Sequence, residues 1–252
     1  MDPKKQEKQW LLNEKYQGIE SPEFFEDFKK LESGTPLAYL IGNIPFLEIT
    51  VDLEYKPLIP RPETEFWVNY CTQKYIPLEA NISILDIYSG SGCIGLGIAK
   101  KRPNTKILCS DIKKENIVQI QKNIVLNGIS EKQVSVIQSD IFKNISMQKF
   151  DIIFANPPYI SEQRKDTVDD SVLLYEDHHA LFAEDDGLFH IKNLIEKIPF
   201  FLKDNGYMFI EFDPWQKKLI ESYIQEKEIC FEFLQDQYQK NRVLIIQNKK
   251  LA

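Results

Sequence analysis

The chain has 252 residues, of which 43% are hydrophobic and 27% charged, a composition that suits one large domain or a domain with a small appendage. Its 31 lysines and arginines against 38 aspartates and glutamates give a formal net charge of −7. Because nonspecific nucleic-acid binding needs a cationic field, this balance disfavours DNA or RNA as the main partner, and no apolar run reaches the length of a membrane span.

The spacing of the cysteines and histidines predicts no metal site. No two cysteines form a C-x-x-C pair and no secretory signal precedes them, so we expect reduced, partly buried thiols in a cytoplasmic protein. The histidines lack the spacing of zinc ligands. These residues are Cys71, Cys93, Cys109, Cys230, His178, His179 and His190.

Residues 1–42 predict a small N-terminal helical domain. Within it, Ser21 followed by Pro22 is typical of a helix N-cap and a first helical position. Residues 43–60 predict a hairpin linker, and residues 61–252 predict the large domain.

The large domain alternates strand and helix patterns, up to a helix predicted over residues 214–228 and a closing hairpin. Such alternation predicts an α/β fold with a mostly parallel sheet covered on both faces and ligands at the carboxyl ends of its strands. Polar side chains fall at or near four such ends. They are Asp86, Asp111, Asp140 and Asn156.

The first predicted strand of the large domain runs into a glycine loop. Glycines there let backbone amides approach a ligand and let the next helix direct its N-terminus at a negative group. A second strand ends at Asp111, about 20 residues later, where an acid can accept hydrogen bonds from ribose hydroxyls. Nucleotide-binding folds of many kinds share such a loop, so it does not by itself define a reaction. The loop residues are Tyr88, Ser89, Gly90, Ser91 and Gly92.

A rigid turn of Asn156, Pro157, Pro158 and Tyr159 follows the apolar run of residues 150–155, which predicts a buried strand. Neither proline has a backbone N–H and each fixes its own φ, so the turn presents acceptors and one aromatic face. A planar amide or amidine with an N–H₂ group fits there: the Asn156 side-chain oxygen and the Pro157 carbonyl each accept one of its protons, and the Tyr159 ring stacks on its plane. The alternative is an ordinary turn after a strand, because Asn-Pro and Pro-Pro are common turn signals.

Four motifs occur in one order along the chain: G-T-P-L-A-Y-L-I-G at residues 34–42, L-I-P-R-P-E-T-E at residues 58–65, the glycine loop, and N-P-P-Y. In this order they resemble the release-factor glutamine methyltransferases of the HemK/PrmC type, over nearly the whole chain. The resemblance implies a Rossmann-like, seven-stranded class I methyltransferase sheet with a small N-terminal helical domain and a linking hairpin. It also implies S-adenosyl-L-methionine as the cofactor.

The same resemblance implies roles for individual residues. The glycine loop would hold the methionyl part of the cofactor, and Asp140 would accept a hydrogen bond from the adenine amino group, with Ile141 or Phe142 against the ring. Asn156 would lie beside both the cofactor and the target amide. The residues implied to bind the glutamine amide and to carry its methylation are Asn156, Pro157, Pro158 and Tyr159.

The implied reaction is direct transfer of a methyl group to the side-chain amide nitrogen of the glutamine in the Gly-Gly-Gln tip of a peptide-chain release factor. The resemblance implies that the N-terminal domain helps to dock that partner, and we expect a monomer. Tyr159 is expected to act through its ring and not its hydroxyl.

Two positions depart from the family pattern: Tyr88 stands where glycine is usual, and Asp177 stands where proline is usual. An aromatic residue in the loop is closer to some DNA amino-methyltransferases. A DNA adenine methyltransferase, a methyltransferase for another protein's glutamine and a non-catalytic cofactor-binding module are therefore the alternatives. Residues 175–188 predict either a lid over the site or a solvated loop.

Overall fold

The computed structural model describes residues 3–227 and 229–249. The helices are α1 Pro3–Tyr16, α2 Pro22–Glu32, α3 Leu37–Ile41, α4 Pro62–Tyr75, α5 Cys93–Lys101, α6 Lys114–Leu126, α7 Asp170–Tyr175, α8 His178–Leu181, α9 Phe189–Phe201 and α10 Lys217–Gln225, with short 3-10 helices at Glu162–Thr167 and Pro214–Gln216. The strands are β1 Asn43–Phe46, β2 Ile49–Asp52, β3 Ser83–Ile87, β4 Lys106–Asp111, β5 Val134–Gln138, β6 Phe150–Ala155, β7 Ile160–Ser161, β8 Phe182–Ala183, β9 Leu202–Glu211, β10 Cys230–Gln235 and β11 Asn241–Gln247.

Seven strands form one central sheet in the order β10-β11-β9-β6-β3-β4-β5. The strands from β9 to β5 run parallel, and β11 is antiparallel to both β9 and β10. The predicted seven-stranded α/β sheet is therefore confirmed. In a parallel sheet all carboxyl ends lie at one edge, so the ends of β3, β4, β5 and β6 can build one site.

Helices cover both faces of this sheet. Successive strand residues point to opposite faces, so Ile84 and Phe154 belong to one buried cluster while Leu85 and Ile153 belong to another. The first cluster includes the core side chains of α4, α5 and α6, and the second includes those of α9 and α10. Both faces of the central strands are apolar for this reason.

The N-terminal helices α1 to α3 share a small core of their own around Leu11, Phe24 and Leu40. The Ser21 hydroxyl accepts a hydrogen bond from the backbone N–H of Phe24 at 3.3 Å, and Pro22 is the first helical residue, so the predicted helix start is confirmed. The hairpin of β1 and β2 buries Val51 in the large sheet's first cluster, which attaches the predicted linker firmly to the large domain.

The end of the chain differs in detail from its prediction. The helix predicted over residues 214–228 begins as a 3-10 turn at Pro214–Gln216, which the Asp213 side chain caps by accepting from the Trp215 N–H at 3.3 Å. The regular helix α10 ends at Gln225, and residue 228 lies outside the described residues. Among the described helices, none has the length and apolar character needed to cross a bilayer.

Candidate active site

A cavity of about 470 Å³ lies at the carboxyl ends of β3, β4, β5 and β6. Most of the residues predicted to bind a cofactor line it together, although they are spread over more than 60 residues of chain. The predicted residues that line the cavity are Tyr88, Ser89, Gly90, Ser91, Asp111, Asp140, Ile141, Asn156 and Pro158. Gly92, Pro157 and Tyr159 are not part of the lining.

The glycine loop turns tightly between β3 and α5. Gly90 has φ +53° and Gly92 has φ +81°, in the left-handed region that glycine adopts without strain. The Ser89 hydroxyl fixes the turn by donating to the Asp86 carbonyl at 2.7 Å. A Cβ on Gly92 would lie 3.1 Å from Ile120, so Gly92 serves the packing of the loop on α6, while the start of α5 faces the cavity. A helix N-terminus in this position suits a carboxylate.

Asp111 ends β4 and is held in place by three donors. Its carboxyl accepts from the backbone N–H of Gly90 at 2.8 Å, the backbone N–H of Lys113 at 2.9 Å and the Asn116 side-chain amide at 3.0 Å. Burial raises the pKa of Asp111, and these hydrogen bonds act against that rise. A carboxylate offers about four acceptor sites, so one remains for a ligand hydroxyl.

Two further residues extend the cavity beyond β5. Asp140 is exposed, and Ile141 lines the cavity from a left-handed backbone conformation with φ +48°. Phe142, the other residue predicted against an adenine ring, instead stacks on Phe201 with ring centroids 4.2 Å apart in the core. Ile141 is therefore the one that can contact a flat ring in the cavity.

Two buried hydroxyls in the cavity lining have no partner in the described part of the chain. They belong to Ser91 in the glycine loop and Ser110 near the end of β4. Buried polar atoms are normally hydrogen-bonded, so each such atom calls for an explanation. A polar ligand with a carboxylate, a ribose and a flat ring would meet these hydroxyls, the start of α5, Asp111 and Ile141 in one cavity.

Asn156 stands at the cavity wall, where its side-chain nitrogen lies 3.5 Å from the Thr64 hydroxyl of α4. That hydroxyl donates to Oε2 of Glu211 at 2.7 Å. The same carboxylate oxygen accepts from the Trp67 indole N–H at 2.6 Å, and Oε1 accepts from the Tyr159 hydroxyl at 3.0 Å. Glu211 is only 2% exposed, so the N-P-P-Y turn is hydrogen-bonded to a buried carboxylate.

Tyr159 is anchored at both ends. Its hydroxyl binds Glu211, and its carbonyl accepts from the Gln216 side-chain amide at 2.9 Å. Burial, followed by the negative charge of Glu211, raises the pKa of Tyr159 well above its usual value. The hydroxyl, expected from the sequence to be dispensable, is thus part of the hydrogen-bond network that holds the turn.

Tyr88 both lines the cavity and packs against the core beneath it. Its backbone has φ +61°, a conformation that is strained for a bulky residue. Its hydroxyl lies 3.1 Å from Nδ1 of His190, and the two rings meet edge to face at 5.3 Å. Burial raises the pKa of Tyr88 and lowers that of His190. The sequence did not predict that His190 would reach this site.

The segment predicted as a lid or a loop contributes Asp177, His179 and Phe182 to the cavity lining. It is tied to the start of α4 by an ion pair between Arg61 and the buried Glu176, whose carboxylate also accepts from the Ile59 N–H at 3.2 Å. The arginine of the L-I-P-R-P-E-T-E motif therefore anchors this segment. Asp177, at the usual proline position, forms an ion pair with Lys113.

Comparison with protein families places this fold and cavity in a known context. Residues 73–210 match the family model described as the methyltransferase small domain. A release factor glutamine methyltransferase from Streptococcus pneumoniae is 35% identical over 232 residues, which cover 90% of this chain and 80% of that protein. A release factor glutamine methyltransferase from Lactococcus lactis is 32% identical over 238 residues, which cover 94% of this chain and 86% of that protein.

A solved structure gives independent support for the fold. The ribosomal protein L11 methylase of Lactobacillus delbrueckii subsp. bulgaricus matches with a TM-score of 0.52 at 18% identity, over 76% of this chain and 79% of that chain. At this identity the similarity shows the fold alone, which is the same arrangement of strands and covering helices found here.

Proposed function

Since the chain belongs to the release factor glutamine methyltransferase family, we propose that it methylates the side-chain amide nitrogen of the glutamine in the Gly-Gly-Gln motif of a peptide-chain release factor. The methyl donor is S-adenosyl-L-methionine, as the family and the fold imply. The observation that carries the proposal is the position of Asn156 at the wall of the cavity, with its amide nitrogen turned toward Thr64.

The residues of the cavity fit this cofactor. The start of α5 and the Ser91 hydroxyl would hold the methionyl carboxylate, Asp111 would accept from a ribose hydroxyl, and Asp140 and Ile141 would bind the adenine amino group and ring. The unpartnered hydroxyls of Ser91 and Ser110 support this fit, because a polar ligand would satisfy them. When bound, the cofactor supplies an electrophilic methyl group on a sulfonium sulfur.

The protein must then make a poor nucleophile react. An amide lone pair is delocalised, so the site works through orientation and electrostatics more than through a strong base. Asn156 Oδ1 and the Pro157 carbonyl accept no hydrogen bond within the described chain, which leaves both for the two N–H groups of the glutamine amide. Held in this way, the nitrogen would present its lone pair to the methyl group that the cofactor supplies. Transfer would form a C–N bond as the C–S bond breaks, and the released proton would pass to water.

We further propose a monomeric enzyme in the cytoplasm, with the helices α1 to α3 contributing to docking of the release factor. The four cysteines, all free, fit a reducing compartment. The net charge of −7 disfavours the alternative of a DNA adenine methyltransferase. A cavity lined by most of the predicted cofactor ligands fits both an enzyme and a module that binds the cofactor without catalysis. Turnover distinguishes the two, and the following experiment measures it.

The test is mass spectrometry of a purified release factor after incubation with this protein and S-adenosyl-L-methionine. We expect one added methyl group on the Gly-Gly-Gln peptide and none on a release factor whose motif glutamine is replaced by alanine. Adenine-containing DNA serves as the second control. Methylation of the DNA without methylation of the release factor would favour the DNA adenine methyltransferase instead. Cofactor binding without methyl transfer to either would favour the non-catalytic module.

A further inference from the structure

The buried carboxylate of Glu211, which is hydrogen-bonded to Tyr159 of the N-P-P-Y turn, has no role in the methyl transfer described above. We propose that Glu211, acting through the Thr64 hydroxyl, is a positioning residue that fixes which way the Asn156 side-chain amide faces. This inference rests on the proposed function, because it concerns how that reaction's amide acceptor is oriented. It adds two residues, Glu211 and Thr64, whose roles lie outside the N-P-P-Y turn itself.

The order of strands in the sheet brings Asn156 and Glu211 close together. Strands β6 and β9 are parallel neighbours in which Ala155 pairs with Ile210. Asn156 and Glu211 each follow directly after that pair, so both lie at the same level of the sheet's carboxyl edge. Thr64, in the first turn of α4, bridges them, at 3.5 Å from Asn156 and 2.7 Å from Glu211.

The direction of each hydrogen bond follows from the donors that surround Glu211. The Trp67 indole N–H can only donate, and it donates to Oε2 at 2.6 Å. The Tyr159 hydroxyl donates to Oε1 at 3.0 Å. When Glu211 is ionised both of its oxygens can only accept, so the Thr64 hydroxyl must give its single proton to Oε2 as well.

The direction of the hydrogen bond from Thr64 to Glu211 decides the orientation of the Asn156 side-chain amide. A Thr64 hydroxyl that has donated its proton to Glu211 offers only lone pairs in other directions. The atom of Asn156 that faces it must then be the amino group Nδ2, so Oδ1 faces the other way. The reversed amide would set a donor against the N–H₂ group of the target glutamine and would lose the acceptor on which the proposed transfer depends.

The energetic reason for the arrangement is burial. Desolvation raises the pKa of Glu211, while the hydrogen bonds from Trp67, Thr64 and Tyr159 and the charge of Arg242 act against that rise. A buried carboxyl with this many donors keeps one conformation, because rotating it would leave several buried groups unpaired at once. The orientation of Asn156 is thereby tied to the rigid core and not to the cavity surface.

The first test compares three substitutions in α4. Thr64→Val removes the hydroxyl at nearly constant volume and should lower kcat about 10- to 100-fold, as expected when a reacting group loses its alignment. Thr64→Ser restores the hydroxyl and should bring kcat back to within about threefold of the wild type. Thr72→Val is the matched control: Thr72 is buried in the same helix, and its hydroxyl has no hydrogen-bond partner among the described residues.

Binding measurements separate orientation from a loss of affinity. Thr64 also lines the cavity, so S-adenosyl-L-methionine affinity is measured by calorimetry for each variant. We expect the Kd of Thr64→Val for the cofactor and its KM for the release factor to stay within about twofold of the wild type, with the loss confined to kcat. A loss of cofactor affinity that matches the loss of turnover would overturn the inference, as would a Thr64→Val enzyme as active as Thr72→Val.

A second variant tests the connection itself. Glu211→Met removes both acceptor oxygens at similar side-chain length, so the Thr64 hydroxyl loses the acceptor that fixes the direction of its proton. Its kcat should fall as in Thr64→Val, and the double variant should lie within about threefold of the lower single variant, because both changes interrupt one path. Two independent structural defects would instead multiply. A wild-type protein that methylates no release factor would refute the proposed function, whereas active wild type with multiplicative variants would refute this inference alone.

Discussion

The backbone of Gly187 passes so close to Tyr159 that a Cβ atom on Gly187 would lie 2.0 Å from the Tyr159 carbonyl oxygen. Gly187 also has φ +78°. The Gln216 amide bridges the same region, donating to the carbonyls of Tyr159 and Asp186 at 2.9 Å each. The segment before α9 therefore packs against the turn of residues 156–159, and only glycine fits at this contact.

We expect Gly187→Ala to lower the free energy of unfolding by about 2–4 kcal/mol, because it adds overpacking to the strain of a positive φ. It should also lower turnover, since the displaced carbonyl belongs to the N-P-P-Y turn. Urea denaturation and methyl transfer are the two measurements. Gly128→Ala is the control, because Gly128 has φ +61° with no atom within 4 Å of an added Cβ, so it carries the backbone strain alone. Equal losses of stability in the two variants would contradict the close-contact argument.

We expect Asn156→Ala to reduce turnover at least about 100-fold, the size of effect seen when one preorganised polar contact to a reacting group is removed. Cofactor affinity should remain nearly unchanged, because the proposed cofactor ligands in the glycine loop, Asp111 and Ile141 are all retained. Turnover is measured on the release factor, and binding by calorimetry. Asn69→Ala, at a partly exposed position of α4 outside the cavity lining, is the control for removal of an asparagine. Near-normal turnover in Asn156→Ala would exclude the proposed role of this residue.

Much of the site could be predicted from local signals. A polar residue at the end of an apolar run marks the end of a buried strand, and this pattern placed Asp111 and Asn156 at the cavity. Asp86, predicted in the same way, is instead buried within β3 and does not line the cavity. Glu211 carries the same signal after the run from Tyr207, so it could have been found in the same way. In the confirmed sheet, residues with this pattern lie close together, because parallel strands bring their carboxyl ends to one edge.

The contacts of the site could not be predicted in that way. Tyr159 meets Glu211 because β9 lies beside β6, and Tyr88 meets His190 across 102 residues of chain. Both contacts depend on the strand order and on where α9 begins, which no local pattern encodes. The sequence alone does not show that Tyr88, which lines the cavity, also contacts His190 of α9 through its hydroxyl.

We expect Tyr159→Phe to lower the free energy of unfolding by about 1–3 kcal/mol, because it removes a donor from a buried carboxylate oxygen. This replaces the mild effect expected from the sequence. The control is Tyr75→Phe, where an exposed hydrogen bond of 2.9 Å to Glu232 is removed, and there the loss should stay within about 0.5 kcal/mol. Urea denaturation at neutral pH gives both values. If the two variants were equally stable, the Glu211 network would contribute nothing to holding the turn.

The His190 imidazole predicts a pH dependence at the mildly acid end. Burial lowers its pKa, and the negative charge of Asp140 opposes that shift. In the unfolded chain the imidazole titrates near about 6.5, so as the pH falls below that value the unfolded state takes up the proton first. The contribution of His190 to stability is therefore complete above about pH 6.5 and is lost as the pH falls toward its lower, folded-state pKa.

We expect the free energy of unfolding of the wild type to fall more between pH 7 and about pH 5.5 than that of His190→Gln, since only the wild type carries this titration. Urea denaturation at each pH gives the difference, and NMR titration of the His190 ring protons gives the pKa directly. His178→Gln, at an exposed position, controls for removal of a histidine as such. Identical pH dependence in the wild type and His190→Gln, or a ring that titrates above about 6.5, would show that burial beside Tyr88 does not keep this imidazole neutral.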